Sequence, residues 1–300
     1  MTAMTTPATS RRLSRLLSGA GFALAMALAG PAAAEGESLA DAQRIVAIGG
    51  SVTEIVYALG EEGRLVARDT TSGYPEAATE LPDVGYMRAL APEGVLSVRP
   101  DAILTLEGSG PPETLTVLKA AGVPYVTVPE GYDEKGILDK IEVIGTSLGV
   151  EAKAGELADR VRAELEAATA EAEARGRNAR VLFILSMNGG RILASGSGTA
   201  ADGILAMAGA QNAFADFAGY KQLNDEAVIS AAPDAILMIS RGEGHAAPVD
   251  DVLSHPAIAQ TPAGANKRLI RMDGLYLLGF GPRTGAAVRD LSAALAEHGL

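Results

Sequence analysis

The chain has 300 residues, a net charge of −12, a pI of about 4.8 and no cysteine. Its 48% hydrophobic content suits a globular protein of about two domains. The acidic balance argues against nucleic acid as a partner, and the lack of cysteine excludes disulfides, thiolate metal sites, iron–sulfur clusters and a lipidated cysteine anchor.

Residues 1–34 read as an export leader. Arg11, Arg12 and Arg15 precede the apolar run Leu16–Gly30, and "PAAAEGES" offers a cleavage site after Ala34. The run is 15 residues long, short of the ~20 that a membrane span needs. The twin arginine in "SRRLSR" points to either the general or the twin-arginine export route. The mature protein is therefore expected to be soluble and exported.

Beyond the leader, β-branched runs alternate with helical patterns. "RIVAIG" (Arg44–Gly49) predicts a strand, and "SVTEIVYALG" a helix ended by Gly60. "DAILTL" predicts a buried strand, "PPETLTVLKAAG" a helix and "PYVTV" another strand. From Glu151 to Gly176 there is no proline, and Leu157, Val161, Leu165, Ala168 and Ala172 form one apolar stripe along a long helix. The pattern then restarts with strand "ARVLFIL", helix "GTAADGILAMAG" and strand "DAILMI". This order predicts an α/β fold of two Rossmann-like lobes with central parallel sheets. One long rigid helix joins the lobes, and the ligand cleft lies between them. The expected divisions are 1–34 (leader), 35–148 (first lobe), 149–178 (connecting helix) and 179–300 (second lobe).

The halves echo each other. Pro92–Leu104, "PEGVLSVRPDAIL", aligns without gaps on Asp225–Leu237, "DEAVISAAPDAIL", with eight of 13 positions identical. Upstream, "GYMRALAPE" corresponds to "GYKQLNDE", which makes Tyr220 the counterpart of Tyr86.

Enzyme signatures are sparse. Gly196-x-Gly198-x-x-Ala201, with Asp216 twenty residues after Gly196, fits the dinucleotide fingerprint, and an NAD-dependent oxidoreductase is the alternative it raises. There is no nucleophile elbow and no H-E-x-x-H. His245, His255 and His298 lack paired metal spacing; His255 reads as a loop or helix-start residue, His298 as exposed, and His245 as able to reach a cleft mouth.

The segment "VGYMRALAPEG" sets Tyr86 two residues before Arg88, after a Pro-Asp turn. A phenolate is a hard anionic ligand suited to ferric iron, and a guanidinium beside it stabilises its charge. The alternative from spacing alone is that Tyr86 packs on the sheet end and Arg88 is solvated. Glu93 and Glu226 occupy matching positions in the repeat, each in a first helical turn where an acidic group complements the macrodipole.

Together, "RIVAIGGSVTEIVYALG", "DTTSGYPEAATELPDVGYMRALAPEGVLSVRPDAIL", "GTAADGILAMAGAQNA", "GYKQLNDEAVISAAPDAIL" and "LLGFGPRT" resemble the periplasmic haem-binding proteins of ABC importers. That family lies within the group that also binds cobalamin and ferric siderophores, and the resemblance covers essentially the whole mature chain. It implies a non-catalytic carrier of ferric haem, with Tyr86 as axial iron ligand and Arg88 supporting its oxygen. It also implies that Glu93 and Glu226 dock into an ABC permease dimer, downstream of an outer-membrane haem receptor system. Some relatives add a second-lobe histidine; this chain has Met187-Asn188-Gly189-Gly190 there instead. Met187 is either a soft axial ligand or apolar packing, and Tyr220 and Tyr74 are further cleft contacts. Arg283 meets a ligand carboxylate or a structural partner. Helix starts at "GGSVTE" and "GSGTAAD" offer donors to haem propionates. The same architecture carrying a siderophore or cobalamin is the runner-up.

Overall fold

Four short aliphatic runs build the first sheet of the computed structural model, which describes residues 38–175, 178–240 and 248–300. The leader (1–34) and His245 lie outside the described residues. In chain order the first half contains β1 (Ile45–Ile48), α1 (Gly50–Ala58), β2 (Leu65–Arg68), α2 (Pro92–Ser97), β3 (Ala102–Leu106), α3 (Pro112–Ala120), β4 (Tyr125–Val128) and α4 (Glu134–Leu148). The strands are all parallel, in the order β2-β1-β3-β4. Every residue of β1 and β3 is buried, as expected for strands covered on both faces.

Next comes α5 (Glu151–Arg175), 25 residues and about 37 Å at ~1.5 Å per residue. Its buried side chains are Ala154, Leu157, Val161, Leu165, Ala168 and Ala172, the stripe that the spacing predicts. The second half contains β5 (Arg180–Asn188), β6 (Arg191–Ser195), α6 (Ala200–Met207), β7 (Gln211–Asn212), β8 (Tyr220–Leu223), α7 (Asp225–Ala231) and β9 (Ala235–Ser240). It ends with α8 (Val249–Leu253), α9 (Pro256–Ala259), α10 (Pro262–Ala265), β10 (Leu269–Asp273), α11 (Gly274–Leu278) and α12 (Thr284–Glu297). Among the described residues, no helix is long and apolar enough to cross a membrane.

The second sheet runs β10-β9-β5-β6-β8 and is mixed. Its parallel part is β10-β9-β5, with β7 added to β5, whereas β6 is antiparallel to both neighbours. The expectation of a parallel sheet holds for its centre and departs at β6 and β8. Gly189 and Gly190 explain the departure. They adopt φ of 56° and 75°, the left-handed pair of a two-residue hairpin turn. So short a turn returns the chain antiparallel; a parallel neighbour needs a crossover.

The repeat has a structural meaning. Asp101 accepts hydrogen bonds from the backbone N–H of Gln43 and Arg44, while the Arg44 guanidinium donates to the carbonyls of Val98 and Arg99. In the second half, Asp234 accepts from the Arg180 N–H, and Arg180 Nε donates to the Ala231 carbonyl. Arg99 and Ala232, at matching places in the repeat, both take positive φ, 50° and 44°. The Pro-Asp pair thus ties each helix–strand turn to the start of the neighbouring strand in both lobes.

One apolar core runs through the first lobe, α4, α5 and the inner face of the second sheet. Alternation along β5 and β9 separates the faces: Val181, Phe183, Ala235 and Leu237 join this core, while Leu182, Ile184, Ile236 and Met238 join a second core with residues of α7–α10. Helix α5 packs on α4 along one side and on α12 along the other. The approach is close at Gly145, where an added Cβ would stand 2.2 Å from that of Ala154.

Candidate functional site

Ligands of open α/β sheets sit beyond the carboxyl ends of the strands, and there the chain organises two loops around one buried carboxylate. Asp69, just after β2, is fully buried. It accepts hydrogen bonds from Gly49 N (2.9 Å), Thr71 N (2.9 Å), Thr71 Oγ1 (2.7 Å) and Ser72 Oγ (2.7 Å). The loop that it orders leads to Tyr74. Beside it, Thr70 N donates to Gly85 O, Val84 N to Arg68 O, and the Arg68 guanidinium pairs with Asp83 at 2.6 Å. These bonds join the Asp69–Tyr74 loop to the loop carrying Tyr86.

Burial alternates within that second loop. Val84, Met87 and Leu90 are buried, while Tyr86 and Arg88 are exposed, Tyr86 by 44%. Gly110 N donates to Met87 O and Leu90 N to Gly110 O, which fixes the loop from the far side. Arg88 Nη1 points at Tyr86 Oη over 3.4 Å. The sequence places a phenol beside a guanidinium; the fold holds both on a rigid backbone and leaves the phenol open to a ligand.

Arg88 also acts on two other tyrosines. Burial raises the Tyr132 hydroxyl above its ordinary range, Glu130 adds to the rise, and Arg88 opposes it. Burial likewise raises Tyr220, opposed by a hydrogen bond from Thr199 and by Arg88. Tyr220 keeps 41% of its surface open. Arg88 belongs to the first lobe and Tyr220 opens β8 in the second, so its charge acts on tyrosines of both halves of the chain. Tyr132, which the sequence reading missed, follows β4 and meets Phe280 edge-on at 5.3 Å. Its position just past a parallel strand was the available signal.

Tyr74 is 46% exposed, and Arg283 Cζ lies 3.5 Å from its ring centroid. Arg283 is held by Glu54 of α1: its backbone N–H reaches Oε1 at 3.1 Å, and Nε and Nη2 reach Oε2 at 3.1 and 2.9 Å. Of the two expectations for Arg283, the structural partner is the one present. Nearby, Lys140 of α4 is completely buried, pairs with Glu130 and donates to Phe280 O.

Met187, partly buried, packs against the second core and pairs with Ile192 across the hairpin. Glu93 and Glu226 are exposed in the first turns of α2 and α7. His255 caps α9: its Nδ1 accepts from Ala257 N, leaving Nε2 to donate to Gly190 O at 2.8 Å. His298 is partly buried at the end of α12, against the expected exposure.

The glycine fingerprint is internally satisfied. Gly196 N donates to Gly219 O, Gly198 N to Asp202, and Asn212 bridges Gly196 O and Asp202. It follows an antiparallel strand, not the central strand of a βαβ unit, so its donors do not form a phosphate cradle. Asp216 lines an open depression of about 790 Å³ beside α6, β7 and α7, which shares no lining residue with the group around Tyr86. The donors expected at "GGSVTE" are also partly committed, since Gly49 N and Gly50 N bind Asp69 and Thr71. Among the described residues, no group of three or more His, Asp or Glu is placed to hold a metal ion.

Comparison with known proteins gives the family of the chain. The solved structure of the periplasmic heme-binding protein BhuT in complex with two hemes is 39% identical, covering 85% of this chain and 98% of that one, with a TM-score of 0.81. An uncharacterised ABC transporter substrate-binding lipoprotein of Bacillus subtilis, YvrC, is 28% identical over 84% of this chain and 80% of its own length. The vitamin B12-binding protein of Yersinia pestis is 27% identical over 66% of this chain and 69% of its own length. Residues 45–275 match the family described as periplasmic binding protein, and the chain belongs to that family.

Proposed function

We propose that this chain is the ligand-carrying component of an ABC importer for haem. It is exported after removal of residues 1–34 near Ala34, and it holds ferric haem between lobes 35–148 and 179–300, with 149–178 as the connecting helix. Tyr86 is the axial iron ligand and Arg88 donates to its oxygen. Tyr220, and with it Tyr132, faces the haem from the other side of Arg88. The protein performs no catalysis. An outer-membrane haem receptor system supplies the ligand, and Glu93 and Glu226 orient the carrier on a permease dimer.

One observation carries this reading. Tyr86 is a half-open phenol on a loop anchored by buried Val84, Met87 and Leu90, with a guanidinium 3.4 Å from its oxygen. A rigid hard ligand backed by positive charge suits an iron that still needs one axial bond. Haem presents such an iron, whereas a siderophore saturates its own. The likeness to BhuT supports the same ligand; the weaker likeness to a vitamin B12-binding protein keeps cobalamin as the second reading.

The test is a visible-absorption titration of the mature chain with ferric haem, repeated with Tyr86→Ala and Arg88→Ala. The expected result is a saturable tyrosinate-type ferric spectrum in the wild type, lost in Tyr86→Ala and retained with weaker binding in Arg88→Ala. A wild type that takes up cobalamin or a ferric siderophore but not haem overturns the haem assignment. An unchanged spectrum in Tyr86→Ala removes Tyr86 as the ligand.

A further inference from the structure

Tyr74 is a ring with one face already occupied. Arg283 Cζ stands 3.5 Å from its centroid, the separation of a guanidinium stacked on an aromatic plane. The guanidinium is not free to leave, because Glu54 binds its Nε and Nη2, and Glu54 is itself buried to 8% exposure. A second tyrosine, Tyr276, lies 5.2 Å from the same carbon and donates its own hydroxyl to Asp290 at 2.9 Å. Although Arg283 covers one face of the ring, Tyr74 keeps 46% of its surface accessible. The loop behind it is fixed by Asp69, and Thr71 of that loop reaches Met87, between Tyr86 and Arg88, at 3.8 Å.

Such a ring is immobilised, flat and open on one side. Here Glu54 holds the guanidinium that backs the ring, and the Tyr276 ring flanks it. We propose that Tyr74 is a stacking face for the planar ligand and that Arg283 is its positioning residue, holding the ring plane from behind. The ligand class is a flat aromatic macrocycle, so the inference rests on the porphyrin reading above. Because Arg283 is bound to Glu54 of α1 from 229 positions away in the chain, the stacking face is assembled from both ends of the sequence.

The experiment compares ferric haem with iron-free protoporphyrin, which has no metal for Tyr86 to bind. Tyr74→Leu is expected to weaken both by a similar factor, about 3- to 10-fold, while the ferric spectrum of the bound haem stays that of the wild type. Tyr74→Phe keeps the plane and is expected to bind within about twofold of the wild type. Arg283→Lys keeps the charge but not the flat surface; it is expected to weaken both porphyrins as Tyr74→Leu does, with no further loss in the double variant. Equal affinities of wild type and Tyr74→Leu, or equal losses in the Leu and Phe variants, overturn the stacking role. Losses that add in the double variant overturn the positioning role of Arg283. A wild type that binds neither porphyrin removes the haem reading and this inference with it, whereas haem binding unaffected at Tyr74 removes this inference alone.

Discussion

Glu54 and Arg283 lie 229 positions apart and meet at 2.9 Å, joining the first turns of α1 to the start of α12. The side chains are 10% and 27% exposed, so the pair falls between two regimes. Exposed pairs contribute about 0–1 kcal/mol, and breaking a buried one costs about 3–5 kcal/mol. Glu54→Gln is therefore expected to lower unfolding stability by about 2 kcal/mol, measured by urea denaturation. A loss within about 0.5 kcal/mol of zero means that the pair is no more than a surface contact.

Lys140 gives an alkaline signature. It is completely buried, and burial holds its ammonium below the ordinary 10.5, against the pull of Glu130. The folded state thus releases this proton at lower pH than the unfolded chain. Between the folded value and 10.5 the unfolded state binds more protons, so this group makes stability rise with pH. Unfolding curves of wild type and Lys140→Met across the alkaline range should diverge in favour of the wild type as pH rises. A constant difference contradicts the depressed value.

The α4–α5 contact admits no extra methyl group. A Cβ at Gly145 would stand 2.2 Å from that of Ala154, far inside the ~3.5–4.0 Å of normal carbon contact. Gly145→Ala should cost about 2–3 kcal/mol, which in a chain of this size lowers Tm by about 5 °C or more. Calorimetry of the variant decides it.

Because α5 packs on α4 and α12 along its length and one core runs through it, the lobes should move little on ligand uptake. Small-angle scattering of the ligand-free and haem-loaded protein is expected to superpose. A large compaction on loading speaks against a rigid connection.

Glu93 and Glu226 predict a split between binding and transport. Each is exposed at the start of a short helix, one in each half of the repeat. Glu93→Ala and Glu226→Ala should leave the haem titration unchanged and reduce uptake through the permease, more so together than singly. Rim charges act mainly through encounter and orientation, and salt screens them, so the deficit should narrow at higher ionic strength. Equal transport by the double variant would falsify the docking role.

Much was decided by neighbours in the chain. The aliphatic runs of β1 and β3, the stripe from Leu157 to Ala172 and the repeated Pro-Asp turns follow from periodicity and local hydrogen bonding, and these signals survive without tertiary context. Tyr86 and Arg88 were readable for the same reason: two residues apart in one loop, they cannot avoid each other. What only the tertiary structure decided depends on which distant segments meet. It turned Gly189 and Gly190 into a hairpin and made the second sheet mixed, sent Met187 to the second core, and filled the glycine fingerprint with its own hydrogen bonds. It also gave Arg283 to Glu54 and Tyr74. A guanidinium in a sequence can bind any carboxylate or ring within reach, and the partner is settled by chain topology, which no spacing along the sequence records.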